Sequence, residues 1–81
     1  MIVKVVYFAS ARDLASSRSE TLAVREGSSV RGLAAELMKR HPPLEALEHS
    51  VRFSVNLDVA DQDTALHEGD EVGVLPPVAG G

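Results

Sequence analysis

The chain contains no cysteine. Disulfides, thiolate metal sites and cysteine nucleophiles are thereby excluded. Positive charge is also scarce: 8 Lys and Arg stand against 12 Asp and Glu, for a formal net charge of −4, and the longest basic run is Lys39-Arg40. A nucleic-acid binder normally presents a basic patch or stripe, so that class is set aside. Long apolar runs are missing as well. The most apolar opening, Met1 to Phe8, carries Lys4 in its middle and is far too short for a secretory signal or a membrane span. No membrane is expected, and the cytoplasm is the expected compartment. There are no repeats, low-complexity segments or interdomain linkers, so the 81 residues read as one domain. A domain of this size buries only roughly 60% of the surface its unfolded chain exposes. Hydrophobic residues make up 44% of the chain, enough for one core but not for an enclosed active site as well. Walls for any such site would have to come from a partner.

What is present alternates cleanly. Ile2 to Phe8 is β-branched and aromatic, with Val3, Val5 and Tyr7 on one face and Lys4, Val6 and Phe8 on the other, wetter one. A polar connection follows, with a short helical turn around Ala11–Ala15. Glu20 to Val24 reads as a second strand, with Leu22 and Val24 pointing together. Ser28 or Ser29 can cap a helix running to about His41. Its stripe is Val30, Leu33, Ala34, Leu37 and Met38, the i, i+3, i+4, i+7, i+8 pattern of one buried face. Pro42-Pro43 ends it, since proline disfavours helical geometry in the residue before it. After a helical turn through Leu44 and Leu47, Val51, Phe53 and Val55 alternate with polar residues as a half-buried strand. Leu57 to Ala60 is a short strand, Glu68-Gly-Asp70 a turn, and Glu71 to Leu75 the last strand. Pro76-Pro77 stops pairing. Strands flanking one long helix describe an α+β domain, with a mixed sheet burying one face on that helix and leaving the other open.

Chemistry-bearing side chains are sparse. His41, His49 and His67 are scattered and form no i, i+4 helical pair, so no metal site is expected. Asp58, Asp61 and Asp63 lack the glycine turn and final glutamate of a calcium loop and read as a solvated bend. Asp70, after a glycine at a strand entry, serves turn geometry. The open sheet face is more informative. If Val72 and Val74 face the helix, Leu75 faces away as an exposed apolar residue just before the tail, beside Val6, Phe8 and Val59. A contiguous apolar patch there marks a partner surface, with Phe8, Val59 and Leu75 as its contacts.

Three stretches carry a resemblance. Leu66-His-Glu-Gly-Asp-Glu-Val72 followed by Val74-Leu-Pro-Pro-Val-Ala-Gly-Gly81, the opening Val3-Lys-Val-Val-Tyr-Phe-Ala-Ser-Ala-Arg-Asp-Leu14, and Val55-Asn56 after the helix resemble the small subunits of molybdopterin synthase, a ubiquitin-like sulfur-carrier family. The resemblance covers nearly the whole chain. It implies a β-grasp domain over residues 1–75 and an extended, flexible Gly-Gly tail over residues 76–81. It implies that the Gly81 carboxyl is the reactive group: adenylated by an ATP-dependent, ubiquitin-activating-like enzyme, then converted to a thiocarboxylate whose sulfur builds the dithiolene of molybdopterin. It implies a large-subunit partner, in a heterotetramer of two small and two large subunits. No cofactor is expected on the chain itself, ATP being used by the activating partner. Alone, this subunit of a sulfur transferase is expected to catalyse nothing.

The residues of the tail suit that task. Pro76 and Pro77 favour a stiff, extended backbone. Six residues from Pro76 through Val78 and Ala79 to Gly81 span roughly 20 Å at ~3.3 Å each, enough to enter a partner's channel. Gly80 and Gly81 lack a Cβ and leave the last carbonyl carbon unscreened. A carboxylate is ionised at neutral pH and a poor electrophile, so it needs the leaving group that adenylation supplies. Without cysteine, sulfur cannot ride on this chain as a persulfide. Two other readings keep the same tail: a sulfur carrier for another pathway such as thiamin synthesis, and a ubiquitin-like modifier conjugated through Gly81.

Overall fold

The alternation of the first strand decides the layout. In the computed structural model, which describes residues 1–77, Val3, Val5 and Tyr7 of β1 (Ile2–Tyr7) are fully buried. They face a core that continues through Leu22 of β2 (Ser19–Ala23), Phe53 of β3 (Arg52–Val55), and Val72 and Val74 of β5 (Glu71–Leu75). With the short β4 (Asp58–Ala60), the strands form one mixed sheet in the order β2-β1-β5-β3-β4. The central pair, β1 and β5, is parallel; the other pairs are antiparallel.

Helix α1 (Ser10–Ala15) buries Ala11 and Ala15 after β1. The main helix, α2 (Val30–Arg40), connects β2 to β3. Ser29 caps it, its side chain accepting from the Gly32 N–H at 3.4 Å. Val30, Leu33 and Leu37 are buried, and Ala34 and Met38 pack at the margin of the same core, as the stripe predicts. Lys39 and Arg40 lie in the last turn, where cations suit the helix dipole. His41 stands outside the helix at φ −129° and ψ 78°, the extended geometry a following proline imposes. The two prolines do more than stop the helix: they open a 3-10 helix, Pro42–Leu47, that buries Leu44.

The sequence boundaries shift by a residue in places. Pairing in β2 begins at Ser19, and β1 closes at Tyr7, so Phe8 follows the strand. Gly69, at φ 82°, makes the turn into β5 in a conformation that L side chains rarely adopt. No helix among the described residues is long and apolar enough to cross a membrane.

Candidate functional site

Strand β5 holds the base of the tail in the middle of the sheet. It is bonded to β1 on one side and β3 on the other, with Val74 in register with Tyr7 and Phe53, and Leu75 with Arg52. The Phe8 N–H donates to the Val74 carbonyl at 3.2 Å. The direction in which the chain leaves at Leu75 is therefore set by two neighbours. Pro76 is half-buried and Pro77 exposed, and both line an open groove with His49, Arg52, Ala60 and Gln62. Neither proline has an N–H to extend the ladder. Val78, Ala79, Gly80 and the proposed reactive Gly81 lie outside the described residues.

The sheet face away from α2 carries the residues expected to dock a partner. Phe8 is 41% exposed and Val59 77%. Leu75 differs from expectation: it is half-buried rather than exposed, set between β1 and β3 with Arg52 opposite it in register. Gly73, at the centre of this face, is itself buried. A Cβ built on it would lie 3.1 Å from the Phe8 ring and would meet the Ser54 hydroxyl. The Phe8 ring thus lies across β5 in space that the missing side chain leaves open. Lys4 and Glu71, in register on the same face, stand 3.9 Å apart as an exposed pair.

Asp70 works as a turn residue, with a second task the sequence did not reveal. Its Oδ2 accepts from the His67 N–H at 2.8 Å, and its Oδ1 from Asn56 Nδ2 at 2.9 Å. Asn56 in turn accepts from the Glu71 N–H at 3.0 Å. The hairpin between β3 and β4 is thereby clamped to the entry of β5. The Asn56 and His67 hydrogen bonds, which outweigh desolvation, hold the Asp70 carboxyl below the usual carboxylate range.

A polar cluster escaped the sequence reading. Val5 is in register with Glu20, which places that carboxylate on the core face. The Tyr7 hydroxyl donates to Glu20 Oε2 at 2.7 Å, and His41 Nε2 lies 2.6 Å from the same oxygen. Arg40 reaches Oε1 at 3.8 Å. The His41 ring meets Tyr7 edge-on, with centroids 5.8 Å apart. Burial alone would raise the Glu20 pKa, but the hydrogen bonds from Tyr7 and His41 and the charges of His41 and Arg40 outweigh it and bring it below the ordinary value. Burial first, then the Glu20 hydrogen bond, push Tyr7 upward. The cluster pins the end of α2 to the first hairpin. Glu20→Ala leaves a buried Tyr7 hydroxyl without its acceptor and should cost about 1–3 kcal/mol in denaturant unfolding. In a Tyr7→Phe background the same change should cost less, because no hydroxyl is orphaned. A depressed folded pKa contributes stability above the unfolded value and loses it as pH falls through the folded one. The gap between the wild type and Glu20→Gln should therefore be full at neutral pH and close in acid, below the ordinary glutamate range; a gap that widened in acid would contradict this.

The remaining polar residues stay apart. His67 lies 3.8 Å from Asp70, His49 beside Glu48 on the surface, and His41 in the Glu20 cluster. Asp61 forms a local bend, its Oδ1 accepting from the Asp63 N–H and the Thr64 hydroxyl. Among the described residues no three His, Cys, Asp or Glu side chains converge to hold a metal ion.

A mixed five-stranded sheet wrapped on one crossing helix, with an open outer face beside its C-terminal strand, defines a ubiquitin-like β-grasp domain. Residues 5–81 match the model of the ThiS family, and the chain belongs to that family. It is similar to the molybdopterin synthase sulfur carrier subunit of Chlamydomonas reinhardtii, 36% identical over 83 residues that cover 100% of each chain. A solved structure of molybdopterin converting factor subunit 1 from Pyrococcus furiosus is 37% identical, with a TM-score of 0.87 over 96% of this chain and 99% of that one. The small archaeal modifier protein SAMP1 of Haloferax volcanii is 27% identical, with a TM-score of 0.89 over 100% of both chains.

Proposed function

We propose that this chain is the sulfur-carrying small subunit of a molybdopterin synthase. The observation that carries the reading is full-length similarity to sulfur carrier subunits of that enzyme, at 36% identity, in a chain whose last strand runs straight into Pro-Pro-Val-Ala-Gly-Gly. The fold supplies a rigid base at Leu75, and the tail supplies reach. The Gly81 carboxylate attacks the α-phosphorus of ATP on the activating enzyme and displaces pyrophosphate. Sulfide-level sulfur from a donor then attacks the acyl carbon and displaces AMP, giving a thiocarboxylate. On the large subunit, that sulfur bonds to the pterin precursor, and water cleaves the acyl carbon–sulfur bond and returns Gly81 to a carboxylate. The chain itself holds no cofactor; ATP belongs to the activating partner, and the chemistry takes place in the cytoplasm. Two small and two large subunits make up the working assembly, with the Phe8, Val59 and Leu75 face against the large subunit.

The test is to incubate the protein with the activating enzyme, ATP and a sulfur source, and to follow the intact mass. One oxygen should be replaced by sulfur, and the product should convert precursor to molybdopterin when the large subunit is added. The likeness to an archaeal modifier supports a second reading, in which Gly81 is joined to lysines of other proteins. Isopeptide adducts in place of a free thiocarboxylate would favour it and count against the first.

A further inference from the structure

We propose that Leu57, at the tip of the hairpin between β3 and β4, is an additional anchor for the large subunit, held outward against the preference of its own turn. The inference rests on the docking-face reading above and extends it to a residue that the reading does not include.

Two unfavourable features coincide at Leu57. Val55 and Asp58 pair directly, leaving Asn56 and Leu57 as a two-residue loop with φ of 50° and 77°. Positive φ at both positions is the type I′ turn, which favours Asn followed by Gly. Asn56 fits its place. A bulky leucine at positive φ is strained. The same side chain is 86% exposed, the most exposed large hydrophobic among the described residues. Leucine here thus gives the fold neither a good turn nor buried area. Strained conformations persist where their surroundings over-determine them. Here the Asn56 N–H donates to the Glu71 carbonyl at 2.8 Å, while the Asn56 side chain bridges Asp70 and the Glu71 N–H. The turn is clamped to the strand that launches the tail and cannot relax by swinging away.

The advantage of a leucine at this place then lies outside the chain. Leu57 stands two residues from Val59, itself 77% exposed on the proposed docking face, so the tip continues that surface. Under the proposed function the chain shares its working assembly with the large subunit and meets the activating enzyme only to be charged. Interfaces between subunits of an assembly are the more hydrophobic kind, and a preformed apolar tip suits one.

The experiment compares Leu57→Gly and Leu57→Asn with the wild type, as full chains, in thermal unfolding and in binding to the large subunit. Relief of the turn should raise the Tm of Leu57→Gly by about 4 °C or more. Affinity for the large subunit should fall by about tenfold or more in both variants, with thiocarboxylation by the activating enzyme at the wild-type rate. Unchanged affinity in both variants overturns the inference, as does a loss confined to the activating enzyme. A lower Tm in Leu57→Gly overturns it too, because the leucine would then be serving the fold. Phe8→Ala is measured alongside. If Phe8→Ala weakens binding and the Leu57 variants do not, only the role of Leu57 fails; if none weakens it, the docking face itself is wrong.

Discussion

Deletion of Gly81 should leave a domain that folds and docks like the wild type yet yields no thiocarboxylate and no molybdopterin. The fold should survive because the last buried member of the core is Val74 and β5 closes at Leu75. Docking should survive because Phe8, Val59 and Leu75 all precede the tail. Chemistry should not. After Glu71 the sequence has no ionisable side chain, so under the proposed function the chemistry falls to the Gly81 carboxylate. A reacting atom must sit within about 3–3.5 Å of its attacker, and one extended residue is ~3.3 Å long. Shortening the tail by one residue therefore withdraws the acyl carbon by the whole contact distance, from a base that β1 and β3 hold in place. Appending one residue should fail equally, since the carboxylate then overshoots. Gly80→Val should slow adenylation by crowding the channel, at little cost in stability. Intact mass after incubation with the activating enzyme, ATP and a sulfur source reads all three. A Gly81-deleted protein that still exchanged oxygen for sulfur would remove the basis of the proposed function.

Most of the fold was legible because its signals are local. The alternation of Val3, Val5 and Tyr7, the stripe from Val30 to Met38, the double proline after His41 and the glycine before Asp70 each have one structural solution. What was not legible depends on register. Glu20 reads as one more polar residue in a strand until pairing with Val5 turns it inward, beneath the Tyr7 hydroxyl. The same alternation that groups Leu22 with Val24 already set Glu20 on their face, so the signal was there, but its partners His41 and Tyr7 come from a distant helix end and a neighbouring strand. The clamp between Asn56 and Asp70 is likewise invisible along the chain, since 14 positions separate the two residues. Leu75 was read as exposed because alternation reports which face a side chain takes, not how closely its neighbours crowd it. The role proposed for the tail and for Gly81 rests on composition and resemblance alone, because residues 78–81 lie outside the described ones.

The docking face should respond as strongly as the tail, but in affinity rather than chemistry. Phe8 lies on the sheet face opposite α2, across the gap left by Gly73, and contributes nothing to the inner core. Phe8→Ala should therefore keep the fold while removing a large exposed aromatic, the residue type most often found to anchor an interface. Leu75→Asp removes the apolar contact immediately before the tail and sets a carboxylate opposite Arg52, a charge pair that a docked partner would have to desolvate. Each change should cost about 2 kcal/mol or more of binding to the large subunit, roughly thirtyfold in Kd. The double variant should fall short of the product of the two, because Phe8 lies over Gly73, two positions before Leu75 on the same face of β5, and neighbours seldom act independently. Unfolding midpoints should move little, since Phe8 is exposed and Leu75 only half-buried. Calorimetric titration of each variant into the large subunit separates the cases. If the double variant binds with wild-type affinity, the carrier meets its partner through another face, and the open side of the sheet needs a different explanation.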